Sequence, residues 1–243
     1  MENDLKSLLL IGSEININNK FNLKFPILKE IIKIGYSNII SAVNIVYDIN
    51  FALYNNEEIN KIIEENDWCS FDTINFLVAL EMQSDEKIIT NYLKSFFNYH
   101  IDDVNFIIDE NANIIINNSI LTKDDFNKIA KVLELAYSLE ERIEDREFGS
   151  AKSRKKAIEM RINRAKIDMI QNKDDSFIYQ LISSLKIKKN NEEIQNSTMF
   201  QLIDIFKRFN KEKEYEHLMQ GVYSGNVDVK KIDVNAKHWT TKT

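Results

Sequence analysis

Residue types that carry common protein chemistry are scarce in this chain of 243 residues. Its single cysteine, Cys69, excludes an internal disulfide and a zinc site built from cysteines. One proline and five glycines provide few helix breakers and few candidates for a glycine-rich phosphate loop. No apolar run approaches the roughly 20 residues that cross a bilayer, and the first ten residues lack the features of a signal peptide. We therefore expect no membrane partner and a reducing cytosol.

Enzyme motifs are also missing from the sequence. None of the histidines His100, His217 and His238 has a second histidine or a cysteine at helical spacing, so no zinc motif is present. Nucleophile-elbow, Walker-type and dinucleotide-binding glycine patterns are absent. The acidic neighbours Asp67 and Asp72 would raise the pKa of the Cys69 thiol and make it a poor nucleophile. We expect no enzyme and no cofactor.

Paired acidic residues are the remaining candidates for metal binding or acid–base catalysis. They are Asp102–Asp103, Asp124–Asp125 and Asp174–Asp175. Acidic residues at the start of a helix interact favourably with the helix macrodipole, and we therefore prefer to interpret these pairs as helix caps. An enzyme with a metal held by scattered acids is the alternative with least support.

The periodicity of apolar residues predicts a mainly α fold with a small β component (α+β). Residues 8–25 alternate and predict one or two short strands, and residues 104–109 and 113–117 predict a β-hairpin. Helical spacing predicts a helix capped by Thr122 and extending to Glu147, and another capped by Thr198. We divide the chain into a helical N-terminal domain with these strands (1–147), a basic connecting helix (148–171) and a small helical C-terminal domain with a polar tail (172–243).

A basic run at residues 151–166, AKSRKKAIEMRINRAK, stands out in a chain of net charge −6. Ile158, Ile162, Ala165 and Met169 form one helical stripe, and the basic residues lie mostly off it. The run contains no aromatic residue for base stacking, and residues 134–147 are rich in acids. A solvated face or a protein-binding arm is therefore favoured over nucleic-acid binding. The predicted basic surface consists of Lys152, Arg154, Lys155, Lys156, Arg161, Arg164 and Lys166.

Several stretches resemble phage proteins that are encoded beside tail genes. They are the N-terminal PILKEIIKIGYSNIISAV, the capped LTKDDFNKIAKVLELA, the basic run, and STMFQLIDIFKRFNKEKEYEHLMQGVYSG with a later His-Trp pair. This diffuse pattern, which spans most of the chain, is similar to the tail assembly chaperones of long-tailed phages that infect AT-rich Gram-positive hosts.

The resemblance implies a protein that binds other proteins and has no catalytic residues. Such chaperones bind the apolar, helical tape measure protein and keep it soluble until tail-tube subunits polymerise around it. The expected partner is the tape measure protein, with the tail-tube protein and a second copy of this chain as further alternatives. The expected location is the host cytoplasm, and the chaperone would be absent from the mature virion.

Two amphipathic segments are the candidate contacts for that partner: the basic helix and the aromatic helix that follows Thr198. The candidate side chains are Ile158, Ile162, Met169, Phe200, Phe206 and Trp239. Each of them also fits an ordinary hydrophobic core. Two other functions stay open: a structural component of the virion, in the tail or in head completion, and a nucleic-acid-binding regulator that uses residues 151–166.

Overall fold

The computed structural model describes residues 2–53, 56–171 and 176–225. Within them the protein is mainly α-helical with a two-stranded and a three-stranded antiparallel sheet, which confirms the predicted fold class. The helices are α1 (Glu2–Leu10), α2 (Leu28–Ile34), α3 (Tyr36–Ala52), α4 (Glu57–Asn66), α5 (Ser70–Met82), α6 (Ile88–His100), α7 (Lys123–Ala136), α8 (Ala151–Gln171), α9 (Ser176–Leu185), α10 (Asn191–Gln195) and α11 (Met199–Tyr223). The strands are β1 (Ile15–Ile17), β2 (Phe21–Leu23), β3 (Phe106–Ile108), β4 (Ile114–Ile116) and β5 (Ser119–Ile120), and a 3₁₀ turn covers Ile143–Asp145.

The strands predicted within residues 8–25 are present as β1 and β2, but the chain before them is helical through Leu10. Asn18 and Asn19 take positive φ angles of 48° and 60° in the turn between the strands, a conformation that asparagine tolerates well. Helix α1 lies against α7 and α11, and Leu9 is buried there. These distant contacts stabilise a helix that is too short to be evident from its own periodicity.

The second hairpin has the predicted position, and its register places alternate isoleucines on opposite faces of the sheet. Ile114 pairs with Ile108 and is buried. On the other face Ile115 lies between Ile107 and Ile120, both of which are about half exposed. The pairing of β5 with β4 was not evident from sequence because β5 has only two residues.

Helix α7 begins as predicted but ends early. The Thr122 hydroxyl accepts a hydrogen bond from the Asp125 amide, and the Asp125 carboxylate accepts one from the Thr122 amide, which makes a reciprocal cap. The helix ends at Ala136, so the predicted extension to Glu147 is wrong. Ser138 takes a left-handed φ of 51°, which reverses the chain.

A buried hydrogen bond explains why the chain turns at the end of α7. The Tyr137 side chain points inward, and its hydroxyl lies 2.8 Å from Nε2 of the fully buried His100. The Nδ1 of His100 lies 2.8 Å from the Phe96 carbonyl, which can only accept, so Nδ1 carries the proton and Nε2 accepts from Tyr137. Burial lowers the pKa of His100 to about 4. The imidazole is therefore neutral in the folded protein at neutral pH.

The C-terminal helices share the hydrophobic core of the N-terminal helices. Leu181 of α9 and Leu202 of α11 belong to the same buried cluster as α3, α5, α6 and α7. Thr198 caps α11 as predicted, and its backbone pairs with Ile27 in an isolated antiparallel bridge. The segment described as a connecting helix from sequence corresponds to α8, which begins at a cap formed by Ser150. The structured parts on either side of α8 therefore pack as one body.

No helix in the part of the chain that the structure describes is both long and apolar enough to span a bilayer.

The neutral His100 makes folding stability depend on pH. Its pKa is about 4 in the folded protein against 6.5 as the ordinary value, so the unfolded chain binds the additional proton between these two values. We expect the contribution of His100 to be fully present above pH 6.5, and to fall by up to about 3 kcal/mol as the pH approaches 4. Urea unfolding from pH 7 to pH 4 measures it. The variant His100→Gln takes up no proton in this range and should show a shallower pH dependence; equal slopes for the two proteins would contradict the assignment.

Candidate functional site

An acidic side chain interrupts the apolar helix α3. Asp48 has φ −154° and ψ 71°, which break the helix, and its side chain is 6% exposed. Its Oδ1 accepts a hydrogen bond of 3.1 Å from the Phe51 amide, which restarts the helix as an N-cap would. Its Oδ2 accepts a hydrogen bond of 2.6 Å from the Arg161 guanidinium of α8. A break in α3 thus becomes a binding position for a cation.

The Arg161 side chain occupies this position almost completely. It is 13% exposed, its guanidinium carbon lies 4.1 Å above the centre of the Phe51 ring, and its Nε lies 3.9 Å from a Glu140 carboxylate oxygen. A planar guanidinium suits both contacts, because it pairs with a carboxylate in its plane and stacks on an aromatic ring with its face. Arg161 was predicted to lie on a basic surface, and the structure instead places it at the contact between α8 and α3.

A buried polar network lies behind this ion pair. Glu144, in the 3₁₀ turn, accepts hydrogen bonds from the Ser70 amide at 2.8 Å and from the Ser70 hydroxyl at 2.9 Å. The NH1 of Arg142 lies 2.8 Å from Glu144 Oε1, an ion pair whose angle does not make a hydrogen bond. The Arg142 guanidinium also donates hydrogen bonds to Asp145. Burial raises the pKa of Glu144, against the opposing effect of Arg142 and Ser70.

The Asn50 side chain connects the network to the neighbouring helices. It donates a 2.9 Å hydrogen bond to the Trp68 carbonyl, and it accepts one of 2.6 Å from the Thr73 hydroxyl. Asn50 and Glu144 together tie the end of α3, the start of α5 and the 3₁₀ turn into one unit. The wall on which α8 rests is therefore rigidly supported.

A cleft of about 510 Å³ opens between this unit and α8. Its volume lies in the range that accommodates a small molecule or several side chains of a bound chain. One side is formed by α3, α4, the residue after α4 and the 3₁₀ turn, and we call this side the acidic wall. It consists of Asp48, Asn50, Phe51, Asn60, Ile63, Glu64, Asp67, Ile143 and Glu144. The other side is the α8 wall: Arg154, Lys155 and Ile158. The acidic wall has four carboxylates and no basic residue.

The basic run is divided between the cleft and the solvent. Arg154 and Arg161 lie on the side of α8 that faces the body, with Ile158 between them. Lys152 and Lys156 are exposed. The prediction placed the basic residues mostly off the apolar stripe, and Arg154 and Arg161 are two that lie on the same side of α8 as Ile158. The side chains of Ile162, Arg164, Lys166 and Met169 lie outside the described part of the structure, as does Trp239.

Phe200 and Phe206 of α11 are partly buried against the hydrophobic core. Phe200 also lines a second, smaller cavity of about 320 Å³ with residues of α1, among them Lys6 and Leu10. Beside it Gln201 donates a 2.9 Å hydrogen bond to the Leu10 carbonyl. The aromatic helix therefore packs against α9, α1 and α7, and it does not line the cleft beside α8.

The other acidic and cysteine candidates occupy structural positions. Asp125 is buried and bonds Lys20 at 2.5 Å, and hydrogen bonds from Lys20 and Thr122 hold its pKa near 2 although burial works in the opposite direction. The Cys69 thiol donates to Asp72 at 2.9 Å, and burial followed by this bond raises the pKa of Cys69. Within the described residues, no three His, Cys, Asp or Glu side chains are grouped to hold a metal ion.

Comparison with known proteins concerns the C-terminal part of the chain. Residues 171–243 match a family model described as the YomV second domain. The matched segment is therefore similar to a domain of a phage-derived, YomV-like protein. It covers less than a third of the chain and does not distinguish a tail assembly chaperone from other phage proteins. No curated protein and no solved structure matches the chain.

The buried network predicts that substitution of Glu144 destabilises the protein far more than substitution of the nearby Glu141. Glu144→Ala leaves the Ser70 amide without its acceptor and removes one of the two carboxylates beside Arg142, whose side chain is 4% exposed. We expect a loss of about 3 kcal/mol in the free energy of unfolding, measured by urea denaturation. The control Glu141→Ala removes a carboxylate that is 53% exposed and should change stability by about 0.5 kcal/mol or less. Equal losses for the two variants would contradict the role of Glu144.

Proposed function

We propose that the protein is a phage-encoded tail assembly chaperone, which binds the tape measure protein and keeps it soluble until tail-tube polymerisation. The phage-derived match at residues 171–243 supports the phage context of this proposal. The resemblance of the capped helix, the basic run and the aromatic helix to tail assembly chaperones supports the particular role. The function requires that the protein recognise exposed helices, and it requires no bond to be made or broken.

The cleft between α8 and the acidic wall is the observation that carries the proposal. Its lining combines the apolar side chains Phe51, Ile143 and Ile158 with charged residues. An unassembled tape measure helix exposes apolar side chains, which aggregate unless another surface covers them. A cleft of about 510 Å³ takes up several such side chains, while the charged rim stays in contact with water.

Co-expression with the tape measure protein encoded by the same phage tests the proposal. We expect the tape measure protein to be soluble with the chaperone and largely insoluble without it, as measured by its fraction in the cleared lysate. A purified complex of the two chains should form at the same time. If the tape measure protein is equally soluble in both cultures and no complex forms, the proposed function is wrong.

A matched pair of substitutions in α4 locates the binding surface. Asn60→Trp fills the cleft with a large side chain and should reduce the soluble fraction of the tape measure protein several-fold. Lys61→Trp places the same bulk on the solvent side of α4, where the Lys61 side chain is 75% exposed, and should leave the soluble fraction unchanged. Loss with both variants would place the contact elsewhere.

The alternative of a virion component predicts a different location for the protein. A chaperone should be missing from purified particles, whereas a structural component should be present at a fixed number of copies. Mass spectrometry of finished particles, with the tail-tube protein as the internal standard, distinguishes the two functions.

A further inference from the structure

The two sides of the cleft carry opposite charges. The acidic wall contributes the carboxylates of Asp48, Glu64, Asp67 and Glu144, and the α8 wall contributes Arg154 and Lys155. Arg154 lies 4.0 Å from Asp67 at the exposed end of the cleft. Such complementarity selects a basic partner for the acidic wall and disfavours an acidic one. Within this structure, the basic partner is α8 itself.

The position of Arg161 shows what the acidic wall recognises. A guanidinium group lies in a site formed by the buried Asp48 carboxylate, the Phe51 ring and Glu140. Ile158, one turn before it, faces the apolar part of the same wall. The acidic wall therefore recognises a helix with a basic residue, an apolar residue four positions later and an arginine three positions after that. In α8 these residues are Arg154, Ile158 and Arg161.

Helix α8 occupies this wall incompletely. A volume of about 510 Å³ remains between Ile158 and the acidic wall, and Arg154 meets only an exposed carboxylate at the limit of an ion pair. The chain before α8 passes through Gly149, which has open space around its Cα, and α8 begins at a local cap formed by Ser150 and Ser153. The start of the helix therefore depends on its own cap more than on packing against the body.

We propose that the acidic wall is a receptor for basic amphipathic helices and that α8 is its built-in occupant, which a client helix of the same chemistry displaces. This inference rests on the proposed function and specifies the client segment: a helix that presents an arginine and an apolar residue to Asp48 and Phe51. In the free protein α8 covers the receptor, and this protects the buried Asp48 carboxylate until the client arrives.

Because α8 belongs to the same chain as the acidic wall, it competes strongly with any separate helix that binds there. Because α8 is tethered, its effective concentration at the wall is on the order of millimolar, so a separate helix binds weakly while α8 is in place. The apparent affinity for the separate helix rises in proportion to the fraction of molecules in which the wall is open. Substitutions that loosen α8 should therefore strengthen binding in trans, and substitutions that alter the wall should abolish it.

A labelled synthetic peptide of residues Ala151–Gln171, added to the full-length protein, tests this competition by fluorescence anisotropy. Ile158→Asp in the protein sets a carboxylate against the acidic wall and loosens α8; we expect the peptide to bind about ten-fold more tightly than to the unmodified protein. Met160→Asp is the control in the same helix, because Met160 is exposed and does not line the cleft. It should leave the peptide affinity unchanged.

The receptor side of the pair should respond in the opposite direction. Asp48→Asn keeps an oxygen that accepts from the Phe51 amide but removes the charge that holds Arg161, so it should loosen α8. Because the same charge would bind the peptide, we expect the peptide to bind Asp48→Asn at least ten-fold more weakly than it binds Ile158→Asp. A peptide carrying Arg161→Ala should not bind any of the proteins. Circular dichroism melting establishes that each variant is folded before binding is measured.

The melting temperature of the Arg161→Ala variant provides a second measurement, which does not depend on how tightly Ile158→Asp binds the peptide. This variant leaves Asp48 buried without its cation, and the peptide in trans should raise its melting temperature while leaving that of Asp48→Asn unchanged. The inference is overturned if Ile158→Asp and Met160→Asp bind the peptide equally, or if Asp48→Asn binds it as tightly as Ile158→Asp. The peptide assay uses only segments of this chain, so either result would overturn the inference without changing the outcome of the solubility assay, which tests the proposed function separately.

Discussion

The buried ion pair between Asp48 and Arg161 determines how α8 lies on the rest of the protein. It joins two residues 113 positions apart in the chain, one at a break in α3 and one on the inner face of α8. Removing either charge leaves the other buried without compensation, a costly state, whereas the ion pair of Arg154 with Asp67 lies at the surface and contributes little. The cleft exists because this contact holds α8 beside the acidic wall without closing the space between them.

Local patterns in the sequence were sufficient for much of the fold. The caps at Thr122 and Thr198 are formed by residues three positions apart, so they are visible in any short window. The hairpin of β3 and β4 follows from alternating isoleucines around a polar turn. The end of α7 was mispredicted, because the acids after Ala136 are compatible with a helix and the turn depends on a contact between Tyr137 and the distant His100.

The site was only partly predictable, for a related reason. The basic run and Ile158 were identified from their spacing, but the direction of Arg161 depends on an acid in another helix. A single aspartate within the largely apolar residues 45–51 was the available signal, since an isolated charge in a core helix needs a partner. Glu144 gave no such signal, because it lies among other acids of residues 134–147 and only the fold distinguishes it from them.

The hydrogen bond from Gln201 to the Leu10 carbonyl has a consequence for biosynthesis. Helix α1 is translated well before its packing partners α7 and α11, and α11 is the last described helix. Leu9 therefore stays exposed until these partners have been synthesised, and α1 reaches its final position only after α11 has emerged. Burial of α1 is thus coupled to the synthesis of α11.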